Sequence, residues 1–264
     1  MLTDVVKALF YTCSSYPKIA APHRLSPSDD FEICILSSVT NIIELYSDIY
    51  RVIAEFKRGE RGIGKLEIGR FFAKSLNNCF KELKYGMSLE MCLVTPTLSY
   101  VDILETEIEK DFRKVLRRFI NILQAQDIEE SIEFTKVARN IGGRLATLLE
   151  KAGVSEHKIK VEGLTLYNIF DELSKYDPLF ESFINVQKLI DVVRLAEKLY
   201  KEYGNINEVL SKVFLELVKD KITPHSGKLA DLLKMDLDYR RRGVYLQYIM
   251  PYLSYASLYI VKHL

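Results

Sequence analysis

Residues 31–56 read FEICILSSVTNIIELYSDIYRVIAEF, and the spacing of their apolar side chains decides the fold class. Phe31, Ile35, Ser38, Ile42, Leu45, Ile49, Val52 and Phe56 recur at alternating four- and three-residue steps, which places them on one face of a helix. Asp29 with Glu32 three positions on makes a capping box to open that helix, and Lys57-Arg58-Gly59 closes it with positive charge and a glycine. The pattern predicts one continuous helix.

Outward from this stretch the same period recurs. Residues 103–123 carry Glu105, Glu107 and Glu109 early and Arg113, Lys114, Arg117 and Arg118 late, which suits the helix dipole. Residues 128–140 follow, closed by Gly142-Gly143, and then residues 164–173. Asp177-Pro178 opens another helix with proline in its first turn, and Asn205 with Glu208 is a second capping box. No Val/Ile/Thr-rich alternating run is bounded by hairpin turns. The expectation is therefore an all-α fold: a single compact orthogonal bundle of about ten helices spanning the chain.

The composition agrees. The 264 residues are 48% apolar and 28% charged, with 37 basic against 36 acidic side chains, the balance of an ordinary globular protein. A net charge of +1 gives no field that makes nucleic acid or an anionic membrane the principal partner, although a local basic patch stays open. Cys13, Cys34, Cys79 and Cys92 are far apart, with no zinc-type spacing, and read as reduced, mostly buried thiols. Asp4 and Lys7 interrupt the first apolar run, so no secretory signal is expected and the setting is read as cytoplasmic.

The C-terminal part explains an oddity, sixteen tyrosines with no tryptophan. Tyr245, Tyr248, Tyr252, Tyr255 and Tyr259 form one helical stripe beside another of Leu246, Ile249, Leu253, Ala256 and Ile260. A helix apolar on most sides belongs in the core. Residues 244–261 hold no charge, but Pro251, Gln247, two serines and five tyrosines argue against a membrane span. The preceding Arg240-Arg241-Arg242 reads as a solvated turn.

Chemistry concentrates in residues 16–30, YPKIAAPHRLSPSDD, where three prolines keep the chain out of helix. Lys18, His23, Arg24, Asp29 and Asp30 are a mix suited to phosphate and a metal ion, or to an ordinary solvated loop. The order Pro17, Lys18, Arg24, Asp29 or Asp30, Phe31 resembles the opening of triphosphoribosyl-dephospho-CoA synthases, whose motif is Pro-Lys-Pro-Gly-Asn-Val-x-Arg followed by Asp and Phe. Gly62-Ile63-Gly64-Lys65-Leu66, the segment from Asp127 through Ala138 to Gly142-Gly143, and residues 165–177 are similar to later motifs of that family, in the same order. The resemblance spans roughly residues 8–243.

It implies an all-α transferase that joins ATP to a dephospho-CoA-like acceptor: a ribose hydroxyl attacks the anomeric carbon of the ATP ribose, adenine leaves, and the triphosphate stays attached. On that pattern Lys18, Arg24, Gly142 and Gly143 would hold phosphate, Asp30 and Asp177 would hold Mg²⁺, and Asp30 with His23 would serve the proton transfer. The implied partners are ATP or a related nucleotide and the acceptor, with no nucleic acid, no membrane and a possible homo-oligomer. Ile19-Ala20-Ala21 replaces the motif's Pro-Gly-Asn, only Gly86 remains of Asn-Thr-Asn-x-Gly, and residues 243–248 lack the family's late polar motif. These departures support an alternative, a catalytically inactive helical protein that keeps the fold for a partner or another ligand. Asp177 and Asp29 are also natural helix caps, Gly142-Gly143 a natural helix end, and His23 a natural surface histidine.

Overall fold

A computed structural model describes residues 2–40, 42–223 and 227–264, with the side chain of Tyr85 left aside. Among the described residues the chain forms helices and no strand. In order they are α1 (Leu2–Ser14), α2 (Asp30–Val39), α3 (Ile42–Lys57), α4 (Ile68–Leu83), α5 (Leu89–Glu107), α6 (Phe112–Ala125), α7 (Ile128–Ile141) and α8 (Gly143–Lys151). There follow α9 (Glu156–Glu162), α10 (Leu166–Ser174), α11 (Glu181–Ile184), α12 (Val186–Tyr203), α13 (Ile206–Val218), α14 (Leu229–Arg241) and α15 (Met250–His263).

The all-α expectation holds, with more and shorter helices than the periodicity suggested. The stretch 31–56 is two helices, because Thr40 leaves helical space at φ −55°, ψ 114° while its hydroxyl donates to Leu36 O at 2.6 Å. Asn41, inside that stretch, lies outside the described residues. Residues 103–123 also divide, because Asp111 caps α6 by accepting from the N–H groups of Arg113 and Lys114. The acidic residues thus end α5 and the basic ones begin α6, the reverse of the dipole pairing that a single helix would have had. Asn205 does cap α13, accepting from Glu208 N at 3.1 Å, whereas Asp29 makes no side-chain cap bond.

The centre of the molecule is α5, buried from Leu89 to Glu105 and packed by α1, α2, α3, α4, α6 and α15. Pro96 inside it cannot donate to Cys92 O, and Ser75 of α4 supplies the missing donor at 2.6 Å. Its buried acids are paired at the far end. Tyr46 OH and Lys262 Nζ donate to Asp102 at 2.6 and 2.5 Å, while Lys262 and His263 both reach Glu105 at 2.7 Å. These contacts fix the end of α15 to α5.

The C-terminal helix is a core element, as its stripes predicted: Tyr252, Tyr255, Leu253, Ala256 and Leu258 are fully buried, and α15 packs most extensively on α1. It starts later than the stripes suggested, after a short turn at residues 247–249, with Pro251 in its first turn. Tyr245 therefore falls outside the helix and is exposed. No helix among the described residues is long and apolar enough to cross a membrane.

The reading of the cysteines as reduced thiols is corrected. Cys13 pairs with Cys34, joining α1 to α2, and Cys79 pairs with Cys92, joining α4 to α5. All four are buried. Packing of adjacent helices brings together sulfurs that sequence distance kept apart.

Candidate functional site

The segment between α1 and α2 is a built element rather than a solvated loop. Tyr16 N donates to Asn207 Oδ1 and Asn207 Nδ2 donates to Tyr16 O, both at 3.0 Å, and Ser211 Oγ donates to Pro17 O at 2.7 Å. Ala20 takes a left-handed backbone, φ 51°, held by its N–H to Asp236 Oδ1 at 2.7 Å and by Leu246 N to its carbonyl at 2.8 Å.

His23 is fully buried, not on the surface. Its Nδ1 accepts Leu25 N–H at 3.1 Å, so the ring proton sits on Nε2 and is donated to Asp236 Oδ2 at 3.3 Å. Arg240 completes the cluster. It donates to Asp236 Oδ1 at 2.7 Å, to Ala21 O at 2.7 Å, to Ser26 Oγ at 3.3 Å and to Asp30 Oδ2. Arg240 is thus the keystone of the N-terminal segment, a correction to its reading as part of a solvated turn. Burial pushes the Asp236 carboxyl up, but the hydrogen bonds from His23 and Arg240 outweigh it and hold the group below the usual carboxylate range.

Lys18 and Arg24 do not join this cluster. Lys18 is fully buried with Nζ on Thr12 O and Cys13 O, in the last turn of α1, where a cation meets the negative end of the helix. Burial holds its ammonium well below the usual lysine value. Arg24 is exposed, its guanidinium 5.9 Å from the Tyr16 ring.

The other candidate residues gather at the corner between α7 and α8. Gly142 (φ 78°) and Gly143 (φ 65°) turn the chain there through backbone that L side chains rarely adopt. The next residue, Arg144, donates to both oxygens of Asp177 at 2.7 and 2.9 Å and to Glu90 Oε1 at 2.6 Å. Asp177 also accepts Leu179 N–H at 3.0 Å, so it caps the following turn as well. Burial pushes the Arg144 guanidinium down, and the two carboxylates more than restore it, leaving it above its usual value. Arg144 borders a cleft of about 360 Å³ walled by Leu76, Met87, Leu89, Ile141 and Leu145, with Glu90 and Gln247 as further polar groups.

The two clusters are neighbours along the chain 246–247: Leu246 binds Ala20, and Gln247 lines the cleft. The residues do not fit Mg²⁺. Asp30 and Asp177 lie in different clusters, each committed to an arginine, and no group of three metal-ligating side chains exists among the described residues. Asp236, Arg240, Glu90 and Arg144 were not legible as site residues; the one signal was the i, i+4 spacing of Asp236 and Arg240. No protein-family model, no curated protein and no solved structure matches this chain.

Proposed function

We propose that the protein binds an adenine nucleotide or a nucleotide-like coenzyme in the cleft at the α7–α8 corner, as a divergent relative of the triphosphoribosyl-dephospho-CoA synthases. The observation that carries this reading is Arg144. Its half-exposed guanidinium stands at the start of α8, beside a mostly apolar cleft of the size that small ligands occupy. The aliphatic walls suit a planar base. Three of the five guanidinium N–H donors of Arg144 are spent on the two carboxylates that hold it in place, and the remaining ones can meet a phosphate. Ala20 adds support, since it holds a left-handed backbone where the resembled motif has glycine.

The experiment is thermal denaturation with ATP or dephospho-CoA, alongside an assay for adenine release from the two together. Stabilisation by either ligand, lost in Arg144→Gln, is the expected result; no shift from any adenine nucleotide overturns the reading. A second reading, binding without transfer, is favoured by one feature: His23 is buried against Asp236, and Asp30, though partly exposed, is committed to Arg240. Binding without adenine release selects it, and adenine release selects the transferase.

A further inference from the structure

We propose that α6, with the adjoining face of α12, is a docking surface for the phosphate backbone of a nucleic acid. In a chain whose charges nearly cancel, α6 carries Arg113, Lys114, Arg117 and Arg118 and no acidic residue over its 14 positions. Lys114 and Arg117 are exposed and Arg118 is half-buried. Arg113 reaches across to Glu197 of α12 at 3.1 Å, which sets the two helices side by side and brings the exposed Lys198 into the same field. Lys114, Arg117, Arg118 and Lys198 pair with no carboxylate among the described residues.

Local stability does not account for this arrangement. Arg113 and Lys114 lie in the first turn of α6, where the helix dipole disfavours cations, and successive like charges along one face repel. Arg113 is offset by Glu197, but Lys114, Arg117 and Arg118 have no carboxylate contact among the described residues, and a local rule broken in this way points to a function on that face. The partner's chemistry follows from what the face contains and lacks. Guanidinium groups match phosphate in two-point geometry, and the four cations of α6 fall within residues 113–118, about 8 Å of helix, where they meet a short run of phosphates. Its apolar side chains, Phe112 and Phe119 included, are buried, so it offers neither a ring for base stacking nor an apolar wedge for a lipid surface. The contact is therefore with phosphates, independent of sequence and strongly dependent on salt.

The test is fluorescence anisotropy of a labelled short DNA duplex of mixed sequence, titrated with the full chain over a range of salt concentrations. Four neutralised phosphates give a log–log slope of affinity against salt of about −3.6. Replacing Lys114, Arg117 and Arg118 together with glutamine leaves Lys198 and lowers the slope to about −1, with affinity at low salt falling more than tenfold. Melting curves of the variant establish that it is folded; if it is not, Arg117→Gln alone must still flatten the wild-type slope by about one unit. Absence of binding, binding that the substitutions leave unchanged, or binding confined to phosphatidylserine vesicles or to polyglutamate each overturns the proposal.

Discussion

His23 Nε2 and Asp236 Oδ2 stand 3.3 Å apart, though 213 positions separate them in the chain, and both side chains are buried. Asp236 also takes the Ala20 N–H and the Arg240 guanidinium, so one carboxylate holds the loop before α2 against α14. Asp236→Asn leaves Arg240 short of a charge partner and should cost about 3–5 kcal/mol in urea denaturation. The acid limb provides a second readout. A carboxyl held below its unfolded value of about 3.9 contributes stability that is present above that pH and is lost as pH falls through the lower folded value. The asparagine variant should lose that part of the acid dependence; an unchanged acid limb would contradict this account.

Lys18 predicts a slope of the same sign at the alkaline end. Its folded value lies well below the unfolded value of about 10.4, so between the two the unfolded chain binds more protons and stability rises with pH. Lys18→Met removes that rise. It should also leave any nucleotide-induced stabilisation intact, since Nζ is spent on the carbonyls of Thr12 and Cys13. Loss of nucleotide binding in this variant would return Lys18 to the phosphate site.

The two disulfides, with separations of 21 and 13 residues, each restrict the unfolded chain by an amount worth about 3 kcal/mol. Thiol titration of the unfolded, unreduced protein should find no free cysteine, and reductant should lower the urea midpoint. Four titratable thiols would show that the sulfurs are merely adjacent.

Gly69 marks the closest approach of two helices. A Cβ there would stand 2.6 Å from the backbone carbonyl carbon of Glu130, at the crossing of α4 and α7. Gly69→Ala must push α7 away, at about 3 kcal/mol in a thermal or urea melt. Gly142→Ala meets no atom within 4 Å, and its smaller cost, about 1–2 kcal/mol, arises from the backbone at φ 78°, ψ −152° alone. Equal effects at the two positions would count against this distinction.

Residues 31–56 and 103–123 show what was legible. Their period identified the buried faces, and Ile42, Leu45, Ile49 and Val52 are indeed buried. Period cannot show where a helix stops when the next one continues the same phase, and here the stops rest on single polar groups, Thr40 and the Asp111 carboxylate. The candidate site was half legible for a similar reason. Lys18, His23 and Asp30 stand out as polar residues in a proline-rich stretch, but what they do depends on Thr12 O, Asp236 and Arg240. Arg240 looked like one of three equivalent surface arginines because its i, i+4 spacing from Asp236 is matched by that of Arg242 from Asp238, which stays exposed.

The packing of α1 on α15 bears on how the chain emerges during synthesis. Helix α1 meets its most extensive partner, α15, only after every helix between them has been made, although α2 and α5 can cover part of it sooner. The packing of α1 therefore completes late, and part of its apolar face stays open to aggregation while the helices up to α14 emerge.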